Sequence, residues 1–157
     1  MSVEVRRVAG TEPMALELVA AMVAEVVEIY DARRGPLTEA RPEELSPPGG
    51  GFVVLWEDGR AVAGGGVRRL GDGVCEIKRM YVVPEARGRG LGPRLLAALE
   101  ALGRDLGYAV AQLDTGPRQP HARRMYERAG YVPVPPYNDN PYAAYWGEKA
   151  LGGRAQT

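Results

Sequence analysis

The sequence predicts a single α/β (α+β) domain, a mixed, mostly antiparallel sheet of six or seven strands with helices on both faces. Three observations point there. Apolar β-type runs flank an Asp58-Gly59 pair, the strongest short-range signal of a β-hairpin. The run Glu76-Ile-Lys-Arg-Met-Tyr-Val-Val-Pro84 leads through Arg87-Gly-Arg-Gly-Leu-Gly-Pro-Arg-Leu-Leu96 into a leucine-striped helix, and another strand follows. Strand, helix and strand form a crossover that demands a parallel pair. Finally, 157 residues, 45% hydrophobic and 25% charged, suffice for one core. The domain is expected over residues 1–151, with a frayed tail at 152–157.

In chain order, Val3-Glu-Val-Arg-Arg-Val8 alternates with period two and predicts a half-buried first strand. Thr11 is a candidate cap and Pro13 a first-turn residue of a helix reaching Tyr30, whose Met14, Leu18, Met22, Val26 and Ile29 form one stripe. Val19, Val23 and Val27 make a second apolar face, which suggests deep burial or a homodimer contact. The Pro- and Gly-rich stretch from Arg33 to Gly51 predicts a long loop with one short helix near Glu39–Leu45, capped by Thr38. Phe52–Trp56 and Ala61–Val67 form the hairpin, and Gly64–Gly66 mark a bulge or a close backbone approach.

In the central strand the core positions Ile77, Met80 and Val82 are spaced by three and then two, where a regular strand gives two and two. One extra residue is the sequence trace of a β-bulge. Leu91, Leu95, Leu99, Leu102 and Leu106 then share a helical face, and Gly107 stops the helix. A strand over Val110–Leu113, a helix over Ala122–Ala129, a strand over Tyr131–Val134 and a final strand over Ala143–Leu151 complete the chain.

The glycine-rich turn carries the chemistry. Gly88, Gly90 and Gly92 let a bulky anion approach the backbone N–H groups, and the first turn of the next helix adds unpaired donors and a positive dipole end. Arg87 and Arg89 add cations, so a polyphosphate is the natural guest; the other reading of the turn is a tight strand-to-helix connection on a basic surface. The turn lacks a Gly-Lys-Ser/Thr ending and the dinucleotide glycine spacing, which sets aside two common phosphate motifs.

Arg87-x-x-Gly90-x-Gly92 after a Val-x-Pro strand end resembles the signature of the GNAT superfamily of acyl-CoA-dependent N-acetyltransferases. Gln119-Pro-His-Ala-Arg-Arg-Met-Tyr-Glu-Arg-Ala-Gly-Tyr131 resembles the family's second motif. The resemblance covers residues 74–134. It implies acetyl-CoA as co-substrate, a bulge that splays two parallel strands, and transfer of the acetyl group to a primary amine by direct attack in a ternary complex. The long loop after the first helix then corresponds to a flap over the acceptor. By the same resemblance, Glu76 is the general base and Tyr126 protonates the leaving thiolate. Met80, Tyr81 and Val82 supply backbone contacts to the acyl and pantetheine groups, Arg87, Gly88, Arg89, Gly90, Leu91 and Gly92 bind pyrophosphate, and Gln119 contacts the cofactor. Pro93 and Gln119 depart from the usual pattern. The other reading of Glu76 is a strand carboxylate paired with Arg68 or Arg79, and the other reading of Tyr126 is core packing.

The zero net charge gives no field toward nucleic acid or membrane, and Arg87-Gly-Arg-Gly90 is too short for an RNA-binding arginine-glycine tract. No apolar run spans a bilayer, and one cysteine excludes an internal disulfide, so a cytoplasmic protein is expected. With one His and one Cys, no metal is expected. The expected acceptor is a small-molecule or protein amine, for which Tyr131, Tyr137, Tyr142, Tyr145 and Trp146 with Asn138, Asp139 and Asn140 are candidate contacts; the other reading is that these residues pack the sheet's end or a dimer interface. The alternative function is a non-catalytic acyl-CoA-binding or sensing module.

Overall fold

The computed structural model describes residues 2–30, 40–116 and 120–152. Seven strands form one sheet: β1 (Glu4–Val8), β2 (Gly51–Glu57), β3 (Arg60–Gly71), β4 (Val74–Val82), β5 (Val110–Thr115), β6 (Val132–Pro133) and β7 (Tyr145–Ala150). They lie in the order β1-β2-β3-β4-β5-β7-β6. Only β4 and β5 pair in parallel; the other neighbours are antiparallel. Three α-helices are α1 (Pro13–Tyr30), α2 (Leu91–Asp105) and α3 (Pro120–Arg128). The mixed sheet and the crossover are therefore as the sequence predicts.

The hairpin turn shows why Asp58-Gly59 is there. Both residues have positive φ, 50° and 78°, so the turn twists with its strands while Glu57 pairs with Arg60. Between Arg33 and Gly51 the described residues hold only a 3-10 turn at Pro42–Leu45, shorter than the helix expected there. Its Leu45 is buried against the sheet. Thr38, the expected cap, lies outside the described residues.

Two apolar layers sandwich the sheet. On one face α2 and α3 press Leu91, Leu95, Leu96, Leu99 and Tyr126 against Val53, Ala63, Val67, Ile77 and Leu113. On the other, Leu18, Met22 and Val26 of α1 meet Phe52, Val54 and Tyr81. Leu106 is only half-buried because the helix has ended before it, and Gly107 follows with φ 96°. The outer side of α1 is less covered than its inner stripe: Val27 and Leu16 are 40% and 43% exposed.

The bulge falls where the spacing places it. Gly64 and Gly66 of β3 face Tyr81 and Lys78 of β4, so two steps on one strand match three on the other. The surplus residue region includes Arg79, whose φ of 62° is in the left-handed range. Because of it, Ile77, Met80 and Val82 all pack toward α2, while Tyr81 packs toward α1. Met80 and Val82 are nevertheless half-buried, not core, because both border open space described below.

Candidate active site

The parallel pairing of β4 and β5 ends early, at Glu76 opposite Gln112. Beyond that point β4 runs on to Val82 and β5 to Thr115 without pairing. A cavity of about 210 Å³ occupies the gap, lined from the α1 face by Met22, Val26 and Tyr142 and from the other by Gly92, Leu95 and Tyr126. It therefore connects both faces of the sheet. A larger groove, about 1160 Å³, runs from Met80–Val82 past Arg87–Pro93 and between α2 and α3 to His121 and Lys149, and Met22, Glu25, Val26 and Ile29 of α1 also line it.

The glycine-rich turn sits at the mouth of that groove. Gly88 and Gly90 have φ of 79° and 76°, and Gly90 is the residue immediately before α2. An L side chain is strained at such angles, so glycine keeps the turn compact and its N–H groups approachable. Pro93 lies in the first turn of α2, where helical N–H groups lack intrahelical acceptors, so its missing donor costs the helix nothing. Arg87 and Arg89 are not the mobile cations the sequence suggests. Arg87 donates from Nε to the carbonyl of Val82 at 2.9 Å and from Nη2 to Glu25 of α1 at 2.8 and 2.9 Å. Arg89 donates to both oxygens of Glu57 at 2.9 and 2.5 Å. Both guanidinium groups are engaged by neighbouring carboxylates, with the side chains still 45% and 39% exposed beside the turn's backbone donors.

Tyr126 lies on α3 at the cavity, nearly enclosed, with its hydroxyl 3.7 Å from the sulfur of Met80 and its ring edge-on to Tyr131. Burial holds its phenol well above the ordinary value, so it stays protonated at neutral pH. Met80, Tyr81 and Val82 line both the cavity and the groove. Gln119 lies outside the described residues.

Glu76 is wholly buried at the last paired position of β4. Arg68 donates to its Oε1 at 2.8 Å from both Nε and Nη2. Its Oε2 accepts from the Tyr137 hydroxyl at 2.8 Å and from Asn138 Nδ2 at 3.4 Å, with Lys78 Nζ at 3.5 Å. Arg68 is the partner that the charged-strand reading named, and the carboxylate opens no side of its own to the cavity.

Sequence reasoning missed Asp114, which does line the cavity. Alternation along β5 directs Ala111 and Leu113 to the α2 face, so Gln112 and Asp114 lie on the α1 face with Glu76 and Lys78. Asn138 donates to Asp114 Oδ2 at 2.7 Å and Asn140 to Oδ1 at 3.2 Å, and Lys78 stands 3.7 Å from Oδ2. Trp146 completes the mesh by donating from Nε1 to Asn138 Oδ1 at 3.0 Å. Charged residues inside otherwise apolar strands, Glu76, Lys78 and Arg79 in β4 and Asp114 in β5, were the available signal. The supposed aromatic cluster is divided: Tyr131 and Tyr145 belong to the α2-side core, Tyr142 to the α1-side core, and Tyr137 and Trp146 to this mesh. Asp139 is exposed.

None of the described helices is long and apolar enough to cross a membrane.

Comparison with known proteins bears on this geometry. The family model for acetyltransferase (GNAT) family proteins matches residues 19–131. An uncharacterised N-acetyltransferase of Schizosaccharomyces pombe is 35% identical over 105 residues, 65% of this chain and 64% of that protein. The IAA acetyltransferase of Azospirillum brasilense is 28% identical over 154 residues, 96% of this chain and 99% of its own. Among solved structures, one from Klebsiella pneumoniae named for acyl-CoA N-acyltransferase activity has a TM-score of 0.74 at 29% identity, covering 95% of this chain and 97% of that one.

Proposed function

The chain belongs to the GNAT family of acetyltransferases, and on that premise we propose that it moves the acetyl group of acetyl-CoA to a primary amine by direct attack in a ternary complex. The observation that carries this reading is the early parting of β4 and β5 beside the glycine-rich turn. A thioester lying in the α2–α3 groove meets, through that opening, an amine arriving from the α1 face. No covalent enzyme intermediate is then needed, and buried Cys75, whose thiol burial pushes up to about 12, has no part in it.

In this reading the N–H groups of the 87–92 turn and of the first turn of α2 receive the pyrophosphate. Backbone groups of Met80, Tyr81 and Val82, released from regular pairing by the bulge, serve the pantetheine arm and the developing oxyanion. Tyr126 gives its proton to the departing thiolate; its depressed acidity makes it a donor that is always loaded. Glu76 is the anionic centre of the α1-face network that draws the amine's proton. With both oxygens engaged it acts through an intermediary and not by touching the amine.

Calorimetric titration with acetyl-CoA, followed by thiol release against a panel of primary amines, tests the proposal. The expected result is binding with turnover on one class of amine, and a fall of about a hundredfold in turnover for Tyr126→Phe at unchanged acetyl-CoA affinity. Binding without turnover on any amine would favour a sensing module instead. Absence of acetyl-CoA binding would end the reading altogether.

A further inference from the structure

We propose that Asp114 is the residue that takes hold of the acceptor: it accepts a hydrogen bond from the amine and receives its proton before attack. The inference rests on the acetyltransferase reading above and names the group at the acceptor's end of the cavity. Among the described carboxylates of the α1-face network, only Asp114 lines the opening between β4 and β5. Glu76 is fully buried, with two donors on Oε2 and a guanidinium on Oε1. Asp114 has one side-chain amide on each oxygen, at 2.7 and 3.2 Å. A carboxylate offers about four lone-pair sites, so each oxygen retains acceptor capacity.

The surroundings suit a proton acceptor. Asn138 and Asn140 fix the carboxylate's rotamer from the loop that crosses the α1 face, and each donates through an amide that cannot itself take the proton. Lys78 stands 3.7 Å away and is shared with Glu76 at 3.5 Å, so the two acids and the lysine form one electrostatic unit. Arg79 from β4, Tyr137 from the loop and Tyr126 from α3 are the other titratable groups within its field.

One N–H bond of the ammonium breaks and its proton passes to an Asp114 carboxylate oxygen. The freed lone pair forms the C–N bond at the thioester carbonyl as the C=O π pair moves to oxygen; when the carbonyl re-forms, the C–S bond breaks and the sulfur leaves with its electron pair and takes the Tyr126 proton. The nitrogen, cationic in the adduct, loses its second proton, which restores the Tyr126 phenol and leaves a neutral amide. Asp114 returns its proton to solvent after the products depart.

Two CoA thioethers of the same size test the proposal without knowledge of the natural acceptor. S-(2-aminoethyl)-CoA places an ammonium two carbons from sulfur, and S-propyl-CoA places a methyl there. Calorimetry at pH 7 is expected to show the intact protein binding the aminoethyl compound about tenfold more tightly, as a charge-assisted hydrogen bond would give. Asp114→Asn should remove that preference with S-propyl-CoA affinity unchanged. Because Asp114 also anchors a loop, the comparison of the two thioethers on the unaltered protein is a readout that does not depend on how the variant folds. Equal binding of the two compounds by the unaltered protein, or a preference that survives in Asp114→Asn, would overturn the proposal. Failure of acetyl-CoA itself to bind would instead strike the acetyltransferase reading, since no amine enters that measurement.

Discussion

The two faces of the sheet build their halves of the site by different means. On the α2–α3 face, recognition is carried by backbone: a glycine turn at φ near 80°, the open end of α2 and a bulged stretch of β4. On the α1 face beside β5, it is carried by side chains drawn from distant segments, Glu76 with Tyr137 and Asp114 with Asn138, 61 and 24 residues apart in sequence. The contrast teaches where each half is vulnerable. A backbone site tolerates side-chain change but not a change of conformational freedom, whereas a buried charge network fails when any one charge is left alone.

Removing one charge should give the largest effect. Glu76→Ala removes the carboxylate shared by the 15% exposed Arg68 and the 6% exposed Lys78, which keep Glu44 at 3.4 Å and Asp114 at 3.7 Å, and is expected to cost about 3 kcal/mol of stability. Chemical denaturation reads this as a lowered midpoint at constant slope. A loss under about 1 kcal/mol would mean that the network relaxes freely and that the contrast between the faces is weaker than drawn. Next, Gly88→Val attacks the backbone half. A Cβ at Gly88 meets nothing within 4 Å, so the cost is conformational, about 1–2 kcal/mol, and acetyl-CoA affinity should fall about tenfold or more while the α1-face network is untouched. Unchanged affinity would detach the turn from cofactor binding.

The smallest effect is expected from the ion pair that ties the turn to β2. The hydrogen bond from Arg89 holds the Glu57 carboxyl below its usual value of 4.5, so the carboxylate is favoured in the folded protein. The stability it brings is therefore complete above about pH 4.5 and is lost as the pH falls through the lower folded value. Glu57→Gln should remove that part of the acid sensitivity, seen as a smaller shift of the unfolding midpoint between pH 7 and pH 3. An identical acid response in the variant would show that Arg89 gains nothing from the pair.

The same contrast explains what the sequence made legible. The hairpin at Asp58-Gly59, the parallel crossover and the bulge are local or periodic patterns, and each can be read from a short window. The glycine turn is contiguous, so its place at the groove was legible too. That Arg87 and Arg89 would be tied to Glu25 and Glu57 was not, because those partners lie 62 and 32 residues away. Nor was the depth of Glu76, since a glutamate in a strand reads the same whether it meets water or an arginine. The mesh around Asp114 depends on a loop after Val134 folding back over β5, and nothing periodic announces such a return.

The bare strip Gly64–Gly66 in β3 has a bearing on how the molecule holds together in time. Added methyl groups there would lie 2.6 Å from Leu18 of α1, 3.0 Å from Leu99 of α2 and 2.7 Å from Leu45 of the 3-10 turn. Three separate elements thus rest directly on one three-residue strip that offers no side chains of its own. Glycine gives a strand little intrinsic tendency to persist, so β3 owes its order to the elements lying on it, and they in turn need it as their floor. Local opening at this place is therefore costly for all of them at once. The amides of β3 should exchange with solvent only when the whole domain unfolds, which makes the least decorated stretch of the chain its slowest to open.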